Sequence, residues 1–423
     1  MEGITGIIAE YNPFHKGHAY QIEQTRKLTG DQYVLVIMSG DFVQRGAPAV
    51  FDKYARTQMA LLGGADAVLE LPSYFACGSA EYFAKGAVGI LDALSCVDHL
   101  CFGSESGDAV SCQELAEILA REPEEFQSLL RGSLKEGLPF PAARKSALKK
   151  YLEARHDQSF SGDALFSGIE NLLDSPNNLL GIEYCKALSR LNSRISPVTV
   201  KREGAGYHDE SLSQPLSSAT AVRRLLTGPK YEDMPLEKLL AYTQPDSVAA
   251  FTKDLLSWDL PVTEDDFSLL LKYRLLLHTP EELAGFADVS LDLARRIIRE
   301  RNHFASFSQF ISLLKTREMT YTRISRALLH ILLSITKEDM SETPGYVRLL
   351  GFRKESSSLL RMLQDSSRIP VITKAADYRK MLPEDCRKAF EKDLFCADLY
   401  ESVKAEKSQK TFVSDLQKSP VIL

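Results

Sequence analysis

The chain has 423 residues, which at about 150 per domain predicts two or three domains. Lysine plus arginine total 51 and aspartate plus glutamate 57, so the formal net charge is -6, with 44% apolar and 26% charged residues. These values exclude a disordered, fibrous or coiled-coil protein and a polycation that coats nucleic acid, while leaving room for a local basic patch. The cysteines, Cys77, Cys96, Cys101, Cys112, Cys185, Cys386 and Cys396, are too scattered for a disulfide framework and predict free thiols. The apolar stretch behind Met1-Glu2 is too short, and too poor in positive charge, for a signal peptide. No run reaches the ~18 apolar residues of a membrane helix. A soluble cytoplasmic protein is expected.

Gly3–Glu10 is a short apolar run suited to a buried parallel strand. Lys16–Leu28 follows as a helix, Tyr33–Met38 as a second strand, and Asp52–Leu62 as a second helix with Asp52 a suitable N-cap. Ala67–Leu71 is a third strand, Ser79–Leu94 a long helix and His99–Phe102 a fourth strand. This alternation predicts an α/β fold, a doubly wound parallel sheet with helices on both faces. Ligands of such sheets bind beyond the carboxyl ends of the strands, so Tyr11–Gly17 and Gly103–Asp108 should border the site. Residues 110–192 read as a helical insertion, Ser196–Lys201 as one more strand, and Ser218–Leu226 as the start of another helix. Thr227–Pro235, rich in Gly, Pro and charge, predicts the boundary between a catalytic domain, residues 1–228, and an all-α domain, residues 236–423. The last stretch, Lys404–Leu423, is polar and reads as a tail.

Tyr11-Asn12-Pro13-Phe14-His15-Lys16-Gly17-His18 lies between the first strand and the first helix. Two histidines three apart at a helix start share one face of the first turn. That turn also presents backbone N–H groups and the positive dipole end, and together these suit a polyphosphate. Gly17 lets the chain approach a ligand without a Cβ. The reaction this suits is attack on a nucleotide's α-phosphate with pyrophosphate leaving, a matter of positioning and charge stabilisation. His15 and His18 are the candidate catalytic residues. Far along the chain, Leu216-Ser217-Ser218-Ala219-Thr220-Ala221-Val222-Arg223 sets hydroxyls at a helix start with an arginine one turn in. Ser218, Thr220 and Arg223 can hold the outer phosphates; the plainer reading is an N-cap beside a solvated arginine. No Walker A pattern occurs.

Between Arg295 and Arg326, the residues Arg295, Arg296, Arg299, Arg301, Lys315, Arg317, Arg323 and Arg326 face only Glu300 and Glu318. Basic side chains contact phosphates, and Tyr321 could stack on an unpaired base; a solvated helix face is the competing reading. A second basic stretch, Arg131 to Arg155, is the weaker candidate for that role. Cys96, His99 and Cys101 hint at zinc but lie in and before an apolar strand, where side chains alternate faces, so no metal ligand is assigned. His208-Asp209 is either a loop near the nucleotide or a turn, and His278, His303 and His330 read as structural.

The leading H-x-G-H and the later Ser/Thr-rich helix start together match the nucleotidyltransferase pattern of the class I synthetase superfamily, which implies a HUP-like domain. Met38-Ser39-Gly40-Asp41-Phe42-Val43-Gln44-Arg45-Gly46, Phe102-Gly103-Ser104-Glu105, Ser175-Pro176-Asn177-Asn178-Leu179-Leu180-Gly181 and Lys201-Arg202-Glu203-Gly204-Ala205-Gly206-Tyr207-His208-Asp209 extend the likeness. In this order the chain resembles the bacterial tRNA(Met) cytidine acetate ligase family over essentially its whole length. Asp41 and Ala47 depart from the Asn and Glu expected there. The resemblance implies an enzyme that makes acetyl-adenylate from acetate and ATP, then acetylates N4 of the wobble cytidine of elongator tRNA(Met). It implies ATP contacts along Ile8, Ala9, Glu10, Tyr11, Asn12, Pro13, Phe14, His15, Lys16, Gly17, His18, Ala19, Tyr20 and Gln21, and at Gly103, Asn177 and Arg202. Mg²⁺ is expected with ATP. Lys315, Arg317, Tyr321, Arg323 and Arg326 become the candidate tRNA contacts; no membrane or protein partner is expected. Two other readings stay open: a small-molecule adenylyltransferase and a non-catalytic, nucleotide-gated RNA-binding protein.

Overall fold

The computed structural model describes residues 2–154, 172–173, 175–202, 219–227, 236–341 and 343–423. Strand β1 (Ile4–Ala9) leads into helix α1 (Lys16–Thr29), and β2 (Tyr33–Ser39) into a small hairpin, β3 (Phe42–Val43) with β4 (Ala47–Pro48). Helix α2 (Lys53–Leu62) starts at Asp52, whose side chain accepts from the Ala55 amide, as expected for an N-cap. Next come β5 (Ala67–Leu71), α3 (Ser73–Ala76), α4 (Ala80–Leu94), β6 (His99–Ser104) and β7 (Ser196–Lys201). Between β6 and β7 run the helices Ala109–Arg121, Glu124–Lys135, Phe140–Glu153 and Pro176–Leu191, in the span expected to be helical.

β1 pairs parallel with β2 on one side and with β6 on the other; β5 extends the first side and β7 the second, all parallel. The chain thus builds outward from β1, crosses back and builds the other way. That reversal opens a crevice at the carboxyl ends of β1 and β6. β2 and β5 are buried along their whole length, which is why they read as unbroken apolar runs rather than alternating ones. Alternate residues still serve opposite faces. Tyr33, Leu35 and Ile37 pack with α4 residues such as Phe83 and Leu91; Val34, Val36 and Met38 pack with Ile22 of α1 and Met59 of α2.

The expectation of an all-α second half needs correction. The region after residue 236 is mainly helical, yet β8 (Val347–Phe352) pairs antiparallel with β5, and β9 (Val371–Ile372) and β10 (Val421–Ile422) pair parallel with β8. The cause is the outer edge of β5, a buried strand whose backbone groups need partners. Val347–Phe352 stands outside the strand–helix alternation that marks the first half of the chain, so nothing announces a strand there. The polar tail is also anchored: the Leu423 amide donates to the Phe352 carbonyl at 3.1 Å.

A buried ion cluster ties that tail to the first half of the chain. Lys53 Nζ donates to Glu70 Oε1 at 2.7 Å and to Asp415 Oδ2 at 2.9 Å. Arg348 bonds the same Asp415 carboxylate, and Tyr54 Oη donates to Asp415 Oδ1 at 2.7 Å. Two cations thus meet two carboxylates, all four residues nearly inaccessible. Burial alone would raise the Asp415 carboxyl, but Lys53 and Arg348 hold it well below the usual carboxylate range. Removing one member leaves an uncompensated buried charge, so Asp415→Ala should cost about 3–5 kcal/mol. By contrast, breaking the exposed Lys27–Glu23 pair by Lys27→Ala should cost about 0.5 kcal/mol or less. Urea unfolding midpoints of the two variants measure the contrast.

Candidate active site

The turn leaving β1 is bound to its neighbours by its own side chains. Glu10 Oε1 accepts from the Gln44 amide and Asn12 Oδ1 from the Val50 amide, each at 2.9 Å. Tyr11 takes the left-handed φ of 45°, and the Asn12–Pro13 peptide is cis. Beneath them Arg56, fully buried, donates from Nε to the Phe51 carbonyl at 2.9 Å. Its Nη1 reaches the carbonyls of Glu10 at 2.7 Å and Ser39 at 3.1 Å, and its Nη2 that of Gly40. One guanidinium therefore binds the carboxyl ends of β1 and β2 together. Nothing in the sequence marks Arg56, because an arginine in an amphipathic helix reads as surface.

His15 then occupies the N-cap of α1 in extended backbone, φ -144° and ψ 173°. Its Nδ1 accepts from the Gly17 amide at 3.0 Å, and His18 Nδ1 accepts from the His15 amide at 3.2 Å. This is a capping box made of two imidazoles. The rings stack at 3.7 Å between centroids, 22° apart in plane. Since each Nδ1 accepts a backbone hydrogen, each ring carries its proton on Nε2 and is a neutral donor there. Burial, then the nearby Arg202 and Arg223, pushes His15 down to about 3. Burial, His15 and Arg202 hold His18 well below its ordinary value.

Two expectations change in detail. The first-turn amides expected to meet a polyphosphate are occupied, Gly17 by the His15 ring and His18 and Ala19 by the His15 carbonyl. The donors on offer are the imidazoles. Gly17 clears space for a ring rather than for a ligand: a Cβ there would lie 2.9 Å from His15 Cε1.

A cavity opens at the crevice between β1 and β6. Of the expected nucleotide contacts, Ile8, Ala9, Glu10, Tyr11, Asn12, His15, His18, Gln21, Gly103, Asn177, Arg202, Thr220 and Arg223 line it. Phe14 is instead buried, and Lys16 Nζ donates to the Ala241 carbonyl at 2.7 Å. Pro13, Gly17, Ala19 and Tyr20 do not reach the cavity wall. Ser218, His208-Asp209 and most of the boundary expected at Thr227–Pro235 lie outside the described residues. Arg223 Nη1 donates to the Asn12 carbonyl at 2.8 Å and its Nη2 to Thr220 Oγ1 at 3.0 Å, joining the two distant motifs. Asn177 and Asn178 divide the work. Asn178, 1% exposed, accepts from Ser104 Oγ and the Glu105 amide, whereas Asn177 lines the cavity. Sequence reasoning assigned no contact to Gln44, Arg45, Phe83, Phe102, Leu180, Tyr184 or Ala219, which complete the wall. The aromatic and aliphatic ones look like ordinary core residues of their helices and strand.

The basic cluster separates. Lys315, Arg317, Tyr321 and Arg323 are exposed, at and just before the helix Tyr321–Leu333. Arg326 is different: its Nε donates to Asp288 Oδ2 at 3.1 Å and its side chain is only 17% exposed. This helix abuts the hairpin on the cavity wall. Ser325 Oγ donates to the Gly46 carbonyl at 2.8 Å, and a Cβ on Gly46 (φ 80°) would lie 2.4 Å from the Arg326 nitrogen. In the weaker basic stretch, Arg144 pairs with Glu183 at 3.1 Å, and Arg155 lies outside the described residues. The suspected zinc residues have other partners: His99 Nδ1 bonds Asp31, and Thr25 donates to Cys101 Sγ. His330 is buried between the carbonyls of Ala287 and Cys77.

Both rings titrate lower in the folded chain than the ordinary histidine value of 6.5. Their contribution to stability is therefore complete above pH 6.5 and is lost as the pH falls below it, for His15 toward about 3. His15→Ala should cost about 1 kcal/mol at pH 7.5 through the lost cap. It should also flatten the acid decline in stability; urea titrations at pH 7.5 and pH 5 measure both.

The profile of the HIGH Nucleotidyl Transferase family matches residues 1–415. The chain is 38% identical over 403 residues to the tRNA(Met) cytidine acetate ligase of Acetivibrio thermocellus, covering 94% of each chain. It is 40% identical over 375 residues to that of Clostridium perfringens, covering 88% of this chain and 89% of the relative. A crystal structure of Thermotoga maritima TmcAL bound with alpha-thio ATP superposes with a TM-score of 0.89 at 30% identity, over 100% of this chain and 99% of that one. With its paired imidazoles at the mouth of the first crossover, the chain belongs to the HIGH nucleotidyltransferases and, among them, to the tRNA(Met) cytidine acetate ligase family.

Proposed function

We propose that this chain activates acetate with ATP and transfers the acetyl group to N4 of the wobble cytidine of elongator tRNA(Met), giving N4-acetylcytidine. The observation that carries the reading is the stacked, neutral pair His15 and His18, with Arg202 and Arg223 beside it on the wall of one cavity. An acetate oxygen attacks the α-phosphorus, and pyrophosphate leaves with the electron pair of the broken bond. The two Nε2–H groups donate to phosphate oxygens as charge develops there, and the guanidiniums neutralise the phosphates. The cytidine amine then attacks the acyl carbon, AMP leaves with the anhydride oxygen, and the amine's proton passes to solvent. The anhydride is already activated, so no serine or cysteine nucleophile is required.

Mg²⁺ enters with ATP, coordinated by phosphate oxygens and water. Among the described residues no group of three or more His, Cys, Asp or Glu could hold it, and we assign it no protein ligand. The exposed Lys315, Arg317, Tyr321 and Arg323 are placed to take tRNA phosphates and an unpaired base, next to the hairpin that borders the cavity. Arg326, paired with Asp288, serves the packing of its helix. No helix of the described residues is long and apolar enough to cross a membrane, and both ATP and tRNA point to the cytoplasm as the place of work. A small-molecule adenylyltransferase does not explain the exposed basic residues, a non-catalytic RNA binder does not need the paired His15 and His18, and neither explains the full-length likeness to acetate ligases.

Mass spectrometry of bulk tRNA nucleosides after incubation with the protein, ATP and acetate should show N4-acetylcytidine; its absence with active protein overturns the reading. His18→Ala should lower acetate-dependent ATP–pyrophosphate exchange about 10²–10³-fold, the effect of losing one transition-state donor. Arg317→Ala with Arg323→Ala should weaken tRNA binding and make its salt dependence shallower, by about one unit of slope for each phosphate no longer neutralised. Acetate-dependent exchange, which needs no tRNA, should persist in that double variant.

A further inference from the structure

The cavity wall divides by topology. Gly103 lies near the end of β6, Asn177 at the start of the helix Pro176–Leu191 and Arg202 just past β7, on one side of β1. The hairpin residues Gln44 and Arg45 follow β2, on the other side. With the nucleotide assigned to the β6 side of this wall and to His15 and His18, the hairpin on the β2 side is the part left for the acceptor. We propose that Gln44 and Arg45 form the subsite for the acetate carboxylate, an inference that rests on the acetate-ligase reading above.

Three observations support it. Gln44 Nε2 is out of reach of solvent and has no hydrogen-bond partner among the described residues, although other atoms of the residue line the cavity. A buried donor without an acceptor is costly, and a small turn of this side chain toward the cavity lets a carboxylate oxygen satisfy it. Second, the hairpin is fixed from both sides. The Gln44 amide donates to Glu10 Oε1 at 2.9 Å, and the Gly46 carbonyl accepts from Ser325 Oγ at 2.8 Å. The donor is thus set against the end of β1 rather than left on a loose loop. Third, the same cavity also carries buried rings, Phe83 and Tyr184, 3% and 4% exposed, which suit a methyl group.

In this arrangement one acetate oxygen attacks the α-phosphorus while Gln44 Nε2 holds the other, which becomes the carbonyl of the mixed anhydride. The Arg45 guanidinium neutralises the carboxylate on approach. In the transfer step the same donors face the carbonyl oxygen as negative charge gathers on it.

Acetate-dependent ATP–pyrophosphate exchange on the full chain, without tRNA, tests the assignment. Gln44→Leu removes the donor at similar volume, and Gln44→Glu sets a carboxylate against the substrate's. In both, the KM for acetate should rise tenfold or more while the KM for ATP stays within twofold, the latter reporting a folded site. Parallel rises in both KM values, or an unchanged KM for acetate, overturn the subsite. Loss confined to tRNA acetylation, with normal exchange, also overturns it and assigns the hairpin to the cytidine instead. ATP turnover by the unaltered protein that ignores acetate would overturn the functional reading and the subsite together.

Discussion

Everything the site does depends on a reciprocal pair of hydrogen bonds at the start of α1. Each imidazole accepts a backbone hydrogen at Nδ1, one from Gly17 and one from His15 itself. Those bonds cap the helix, settle both tautomers and stack the rings. They also explain how two buried histidines beside Arg202 and Arg223 remain uncharged without losing their use. A neutral ring whose Nδ1 is engaged presents one N–H, at Nε2, and its direction is set by the backbone. On the proposed function, a triphosphate would meet oriented dipoles from the histidines and charge from the arginines.

Around this pair the structure uses its polar groups to hold loops still. Arg56 gathers carbonyls from the ends of β1 and β2, Asn178 those parts of the β6 loop that Asn177 leaves free, and Arg223 the carbonyl of Asn12. Positions held this closely favour a reaction that gains most from placement. The hairpin of β3 and β4 extends the same logic outward. Its inner residues line the cavity, and its turn is bonded to the helix that carries Tyr321 and Arg323. That helix therefore lies one short turn from the cavity.

The C-terminal segment is part of the same rigid body. Asp415 sits among Lys53, Arg348 and Glu70, and Lys404 bonds the carboxylate of Asp52, the N-cap of α2. α2 in turn carries Arg56. The last residues of the chain thereby support the loops at its beginning through a short series of buried contacts, and closing the sheet with β8 protects the edge of β5.

Much of this was legible in the linear chain. Five of the parallel strands, β1, β2, β5, β6 and β7, and the helices between them declared themselves by short apolar runs and by Asp52 at a helix start, because these are local signals. The paired histidines were legible for the same reason: residues three apart on a helix must share a face whatever the rest of the chain does. What only the tertiary structure decided are contacts between residues far apart in sequence. β8 looked like part of a helical region because it follows no alternation of strands and helices and takes its place only from the edge it completes. Arg326 looked like its exposed neighbours until Asp288 was placed against it. Gln44 and Arg45 stood in a segment that carries the family likeness, but their place on the wall, like that of Phe83 and Tyr184, is a property of how elements meet. The protonation of His15 and His18 belongs to the same class: the sequence determined that two imidazoles stand together, and burial beside two arginines from elsewhere in the chain determined that they stand there uncharged.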